Sequence, residues 1–219
     1  MSDFFQEVDE EVRREKAELF WKKYQNVIIA LAALIVLATA GWRFYQFYQQ
    51  RQAEEAGAAF ETAITLTREG KDAEAEKSLV ELAARAPAGY RAVARLRAAD
   101  IAAKRDAKAG LAAYDEIAAD GSVDATLRDA ARMRAAYVAA DIGDAADFAR
   151  RAEPLAADGQ PFRSSARELI GAKALEAGDL DRAAKYLDMI VTDDGAPPAT
   201  RQRADLLLGL VRSGKPSQG

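Results

Sequence analysis

The chain has 219 residues, 50% of them hydrophobic and 30% charged, with a formal net charge of −4. It contains no cysteine and no histidine, which excludes disulfides, thiol redox chemistry, His/Cys zinc sites, Cys–His nucleophiles and Ser–His–Asp triads within one chain. Residues 1–52 hold seven basic and seven acidic side chains, leaving 24 Lys and Arg against 28 Asp and Glu beyond them. A mildly acidic domain has no electrostatic footprint for nucleic acid and no polybasic tail for anionic lipid.

Residues 1–23 read as an amphipathic helix. Phe4, Phe5, Val8, Val12 and Leu19 recur at helical spacing, and Asp3 with Gln6 suits a capping box at its start. The segment is either a lead-in to the apolar stretch after it or a short contact site. Tyr24 to Trp42 then holds no charge at all. The 21 helical steps from Trp21 to Trp42 measure about 31 Å, against a bilayer core of roughly 30 Å. Trp21 and Tyr24 at one end, and Trp42 with Phe44, Tyr45, Phe47 and Tyr48 at the other, match the two membrane–water interfaces. Residues 24–45 are therefore read as a membrane anchor, carried by Trp21, Tyr24, Val27, Ile28, Leu31, Leu34, Ile35, Leu37 and Trp42. A helix apolar on every face does not suit the core of a soluble domain. Ala38-Thr39-Ala40 resembles a signal-peptidase site, but the preceding region is long and acid-rich, and aromatic character continues past it. Arg13, Arg14, Lys16, Lys22 and Lys23 precede the span, so the N-terminus is expected in the cytoplasm and the rest of the chain outside it. In a bacterial inner membrane that side is the periplasm.

Past Arg43 the helix is expected to continue to Gly70, with Gly57 as a tolerated cost. From there the chain is Ala-rich and lacks strand patterning. Turn residues fall at Gly70–Asp72, Lys104–Asp106, Gly143-Asp144 and Gly178-Asp179. A second set falls at Ala86–Gly89, Asp120–Ser122, Asp158–Pro161 and Asp193–Pro198. The two sets divide the chain into antiparallel pairs of short helices. The second helix of each pair carries a small residue and two larger ones at fixed spacing: Ala75/Leu79/Leu82, Gly110/Tyr114/Ile117, Ala145/Ala149/Ala152 and Ala183/Leu187/Ile190. Intervals near 35 with two helices per unit are the signature of tetratricopeptide repeats, here three to four of them. Residues 199–213 form a last helix whose Leu206, Leu207, Leu210 and Val211 make an apolar face to cap the stack. The tail, 214–219, is polar and expected to be disordered. The fold class is thus all-α: a single N-terminal transmembrane helix, then a tetratricopeptide-like helical-hairpin repeat domain over 46–213.

No constellation of residues carries chemistry. Glu10-Glu11 and Glu54-Glu55 are adjacent on helices and point about 100° apart, so neither pair shares a cleft. Asp193-Asp194 reads as turn chemistry. Asp179 and Asp181 read as helix caps rather than calcium ligands, because position twelve from Asp179 is Ile190. Phosphate loops are absent, and Ser164-Ser165 has no base at a productive spacing. No catalysis, cofactor or metal is expected. Polar positions on the first helix of each pair line the groove of a repeat stack, which makes Arg95, one turn from Arg91, a candidate groove residue.

The opening SDFFQEVDEEVRREKAELFWKKYQN, the single anchor, and segments such as YRAVARLRAADIAA and ARELIGAKALEAGDLDRAAKYLDMIV resemble the YfgM-like family over nearly the whole chain. That resemblance implies an ancillary subunit of the bacterial Sec translocon, with a periplasmic repeat domain working beside chaperones at the exit of the SecYEG channel. The implied partners are Sec subunits, periplasmic chaperones and unfolded polypeptides. The alternative is a structural envelope scaffold for cell-division, wall-synthesis or outer-membrane-assembly machinery.

Overall fold

The computed structural model describes residues 2–214; the side chains of residues 2–12, 15, 17 and 28 lie outside that description. The chain divides into two compact units, residues 1–54 and 55–219. Helix α1 (Ser2–Arg68) supplies the first unit and the opening helix of the second. It is already under way at Ser2, so the start expected at Asp3 falls inside it. The described residues of the first unit are all helical, and the segment from Glu18 is long and apolar enough to cross a membrane.

The second unit continues with α2 (Asp72–Arg85), α3 (Ala88–Arg105), α4 (Ala107–Ala119), α5 (Ala125–Ile142), α6 (Ala145–Ala152), a 3-10 turn (Glu153–Ala156), α7 (Arg163–Glu176), α8 (Leu180–Val191) and α9 (Pro198–Arg212). No strand occurs among the described residues. Ala, Leu, Lys, Glu and Arg dominate these helices, the residues that lose least on becoming helical. Aspartates set the starts of α4, α5, α6 and α8. Asp106 accepts from the Lys108 and Ala109 amides, Asp124 from Thr126, Asp144 from Ala146 and Asp147, and Asp179 from Arg182. Each satisfies amides that the first turn leaves unpaired. Gly143, at φ 84°, ends α5 in the left-handed region, which a side chain would strain.

Successive helices pack on one another from α2 to α5 and from α7 to α9, and the first helices of the pairs, α3, α5, α7 and α9, also touch their neighbours in that row. Ala75, Leu79 and Leu82 of α2 meet Ala56, Ala63, Ala94 and Ile101. Tyr114 and Ile117 of α4 meet Leu96, Ala99, Ala131 and Ala135. Leu187 and Ile190 of α8 meet Ala196, Ala204 and Leu208. Gly110 is buried because a β-carbon there would stand 2.3 Å from that of Ala103, so α3 and α4 meet backbone to backbone.

Two expectations need correction. In the third pair the buried residues are Phe148, Ala152 and Leu155, while Ala145 is exposed. The triplet therefore lies three residues later than spacing alone placed it, and the long interval precedes it. The cause is local. Asp144 starts α6, so the position equivalent to Ala75, Gly110 and Ala183 is Phe148, and α6 gives way after eight residues to the 3-10 turn at Pro154. In α9 the covered face is Thr200, Ala204 and Leu208 with Leu207 and Val211 half-covered, whereas Leu206 and Leu210 point outward.

Candidate interaction surface

The first helices carry a row of charges at the repeat interval. Asp100 of α3, Arg134 of α5, Glu168 of α7 and Arg203 of α9 follow one another at 34, 34 and 35 residues and alternate in sign. Arg134 donates to both Asp100 oxygens at 2.6 and 2.7 Å. Arg203 grips Glu168 with two nitrogens, Nε and a terminal nitrogen each donating to one oxygen, at 2.6 and 2.8 Å. Asp100 also accepts from the Tyr114 hydroxyl at 2.5 Å and from Arg97 at 3.2 Å. Tyr137, one turn beyond Arg134, is half-exposed beside Glu168, and Val93 lies one turn before Arg97. Sequence reading passed over this row because each member alone is an ordinary surface charge. The signal that exposes it is the repeat interval applied to polar positions.

The second helices are braced separately. Arg105 pairs with Glu76, Arg151 with Asp115 and Asp147, and Arg182 with Glu153. Arg95, the candidate groove residue, donates to Asp120 at 2.5 Å and is half-buried. It ties α3 to the connection after α4.

Arg167 is the one buried charge among the described residues, with 2% of its side chain exposed. Its Nε donates to the Ala156 carbonyl at 2.9 Å, and one terminal nitrogen to the Met189 carbonyl at 3.2 Å and Asp193 at 3.3 Å. The other terminal nitrogen bonds Asp158. Asp193 also receives Arg163 at 2.7 and 3.0 Å and the Gly195 amide at 2.9 Å. The turn expected to be merely solvated at Asp193-Asp194 is therefore a clasp joining the 3-10 turn, α7 and the α8–α9 connection. Arg167 occupies the register place of Met133 and Ala99, 34 and 68 residues earlier and both buried, so the repeat interval marks a core position where its charge alone suggests a surface arginine.

Ala75, Leu79, Leu82, Gly110, Tyr114, Ile117, Ala183, Leu187 and Ile190 are all buried at helix–helix seams. On α1, Trp21, Tyr24, Val27, Leu31, Leu34, Ile35, Leu37 and Trp42 are all exposed in the isolated chain, and Ile28 lies outside the described side chains. A cleft of about 250 Å³ opens between the α5–α6 and α7–α8 pairs, floored by Ala140, Phe148, Ile170 and Ala174. No cluster of metal-ligating side chains occurs among the described residues.

The ionisable groups set a broad plateau of stability. The Ser122 hydroxyl, with Arg95 beside it, holds Asp120 well below the usual carboxylate range. Arg163 lowers Asp193, Arg151 lowers Asp147, and the Thr126 amide lowers Asp124. A carboxylate depressed on folding contributes fully above its unfolded pKa, about 4, and loses that contribution as pH falls through the folded value. Burial, and then Asp100, push the Tyr114 phenol up. Its contribution is complete below the unfolded value of about 10 and is lost as pH rises through the folded one. With no histidine or cysteine between these limits, the melting temperature is expected to stay level from about pH 5.5 to 8.5 and to fall below about pH 4. Calorimetry across that range checks it; a sharp step near pH 6.5 would contradict it.

Paired antiparallel helices at a 34–38-residue interval, with first helices aligned in a row, define a helical-hairpin repeat protein. A family model described as a tetratricopeptide repeat-like domain matches residues 18–196. The chain belongs to that family, whose domains are typically non-enzymatic modules for protein–protein interaction. No curated protein and no solved structure matches it significantly.

Proposed function

We propose that the protein is a membrane-anchored adaptor that holds partner polypeptides beside a bacterial Sec translocon. The observation that carries this reading is the joining, in one chain, of a helix apolar on all faces to a repeat domain of interaction type. In this reading residues 24–45 span the inner membrane, 1–23 are cytoplasmic, and 46–213 work in the periplasm with channel subunits, chaperones or unfolded chains. The proposed contact surface is the row α3, α5, α7 and α9. Its charges are already paired with one another, so it favours neither sign in a partner, and exposed Val93 and Tyr137 provide apolar footholds. Arg95 would serve there by positioning α3 against Asp120. Such a surface suits weak, exchangeable binding of extended chains.

Purification of the tagged full-length protein from membranes in mild detergent, followed by mass spectrometry, tests this. Enrichment of Sec channel subunits and periplasmic folding factors is expected. Recovery of division, wall-synthesis or outer-membrane-assembly proteins in their place would move the function to an envelope scaffold and leave the fold intact.

A further inference from the structure

Helix α9 is built as the first member of a hairpin. It packs on α8 and α7, and its Arg203 takes the place in the charge row that Glu168 takes in α7. At the same interval of 35 residues, Leu206, Gly209 and Leu210 correspond to Gly171, Ala174 and Leu175. In α7 those three are buried against the second helix of the pair. A β-carbon on Gly171 would stand 2.8 Å from Leu187, and Ala174 and Leu175 pack with Ala183. No second helix follows α9 among the described residues. Leu206 is accordingly 67% exposed and Leu210 39%, and no atom lies within 4 Å of where a Gly209 β-carbon would be. The stripe thus has the form of a helix-docking face: two leucines about a glycine that permits close approach.

Its rim says what covers it. Asp205 and Arg212 are both exposed, two turns apart on one edge of the stripe, and neither makes an ion pair among the described residues. An antiparallel copy of the same helix, related by a two-fold axis near residues 208–209, sets Asp205 against Arg212 of the other copy twice over. A parallel copy in register would carry this edge to opposite sides of the crossing and form neither pair. We infer that α9 is a homodimer interface, in which α9 of a second copy of this chain lies on the Leu206–Gly209–Leu210 stripe, antiparallel and crossing at Gly209. A single helix crossing buries less than the roughly 800 Å² per partner of a standard interface, so the pair is weak in dilute solution. Confinement to one membrane raises the effective concentration of copies; that part rests on the proposed anchoring, while the pairing itself does not.

The natural absence of cysteine makes disulfide trapping a clean test. The full-length protein carrying Gly209→Cys is reconstituted in liposomes and oxidised with copper phenanthroline. Val80→Cys, on a 57% exposed site of α2, sets the rate of random collision. Gly209→Cys is expected to form dimer at least roughly tenfold faster. A mixture of Asp205→Cys and Arg212→Cys chains is expected to cross-link faster than either alone. Adding Leu206→Asp and Leu210→Asp to Gly209→Cys is expected to return the rate to that of Val80→Cys without loss of helicity, because both leucines are exposed. Trapping at Gly209→Cys no faster than at Val80→Cys overturns the inference. So does trapping of the mixture no faster than that of Asp205→Cys or Arg212→Cys alone, which would rule out the antiparallel pairing. Either failure leaves the proposed role beside the translocon untouched.

Discussion

Arg167→Ala is expected to lower the melting temperature of the repeat domain by about 10 °C. Arg167 is buried with five donor N–H groups, and the carbonyls of Ala156 and Met189 and the carboxylate of Asp193 each receive one of its nitrogens. Truncation leaves those acceptors facing a cavity. Removing so large a buried side chain leaves a cavity worth about 2–5 kcal/mol, and the orphaned Ala156 and Met189 carbonyls add their own desolvation, while Asp193 keeps Arg163 and the Gly195 amide. In a unit of about 165 residues, 1 kcal/mol corresponds to roughly 2–4 °C. Arg163→Ala, which removes a half-exposed partner of the same aspartate, is expected to cost about 1 kcal/mol or less. Arg167→Met should fall between the two, since Met133 shows that an unbranched apolar side chain fits this register place while the carbonyls stay unpaired. Thermal melts of the three variants decide it. A drop under about 2 °C for Arg167→Ala would mean that the clasp does not hold the fourth pair together.

Gly110→Val is expected to be the most damaging change in the α3–α4 seam, and even Gly110→Ala should destabilise. In an open helix the alanine would gain about 1 kcal/mol over glycine. Here its β-carbon would meet the Ala103 β-carbon at 2.3 Å and the Ala103 α-carbon at 2.5 Å. Backbone cannot step aside as a flexible side chain can, so the helices must separate. Overpacking of that kind costs about 1–3 kcal/mol for alanine and more for a β-branched side chain. Parting the helices also pulls Tyr114, one turn on, away from Asp100, and with it the anchor of the charge row. Gly89→Ala serves as the comparison, since no atom lies within 4 Å of its β-carbon position. That change should gain a few tenths of a kcal/mol up to about 1. Urea unfolding reads both, as a midpoint shift at constant slope. A Gly110→Ala variant as stable as Gly89→Ala would show that α3 and α4 do not approach this closely.

Helix and turn were legible in the amino-acid order because their causes are local. Asp144 and Asp179 cap from within two or three residues, Gly143 needs its left-handed backbone wherever the rest of the chain lies, and an uncharged run of nineteen residues is apolar in any context. The repeat interval was legible for the same reason: each hairpin is a local unit, and the small residues at Ala75, Gly110 and Ala183 mark where its helices cross. What could not be read is whatever depends on a neighbour distant in the chain. Phe148 rather than Ala149 faces the seam because a cap displaced by three residues rotates the helix after it, and only the packed stack shows which face is covered. Leu206 and Leu210 look like core in a helical pattern. They are exposed because α9 turns Thr200, Ala204 and Leu208, not them, toward the stack. Asp100, Arg134, Glu168 and Arg203 became a row only once four helices lay side by side, and Arg167 became a buried clasp only when the 3-10 turn and the α8–α9 connection closed around it. Periodicity and caps act within one helix turn or one hairpin; burial and ion pairing act across the stack, so the tertiary structure alone decided them.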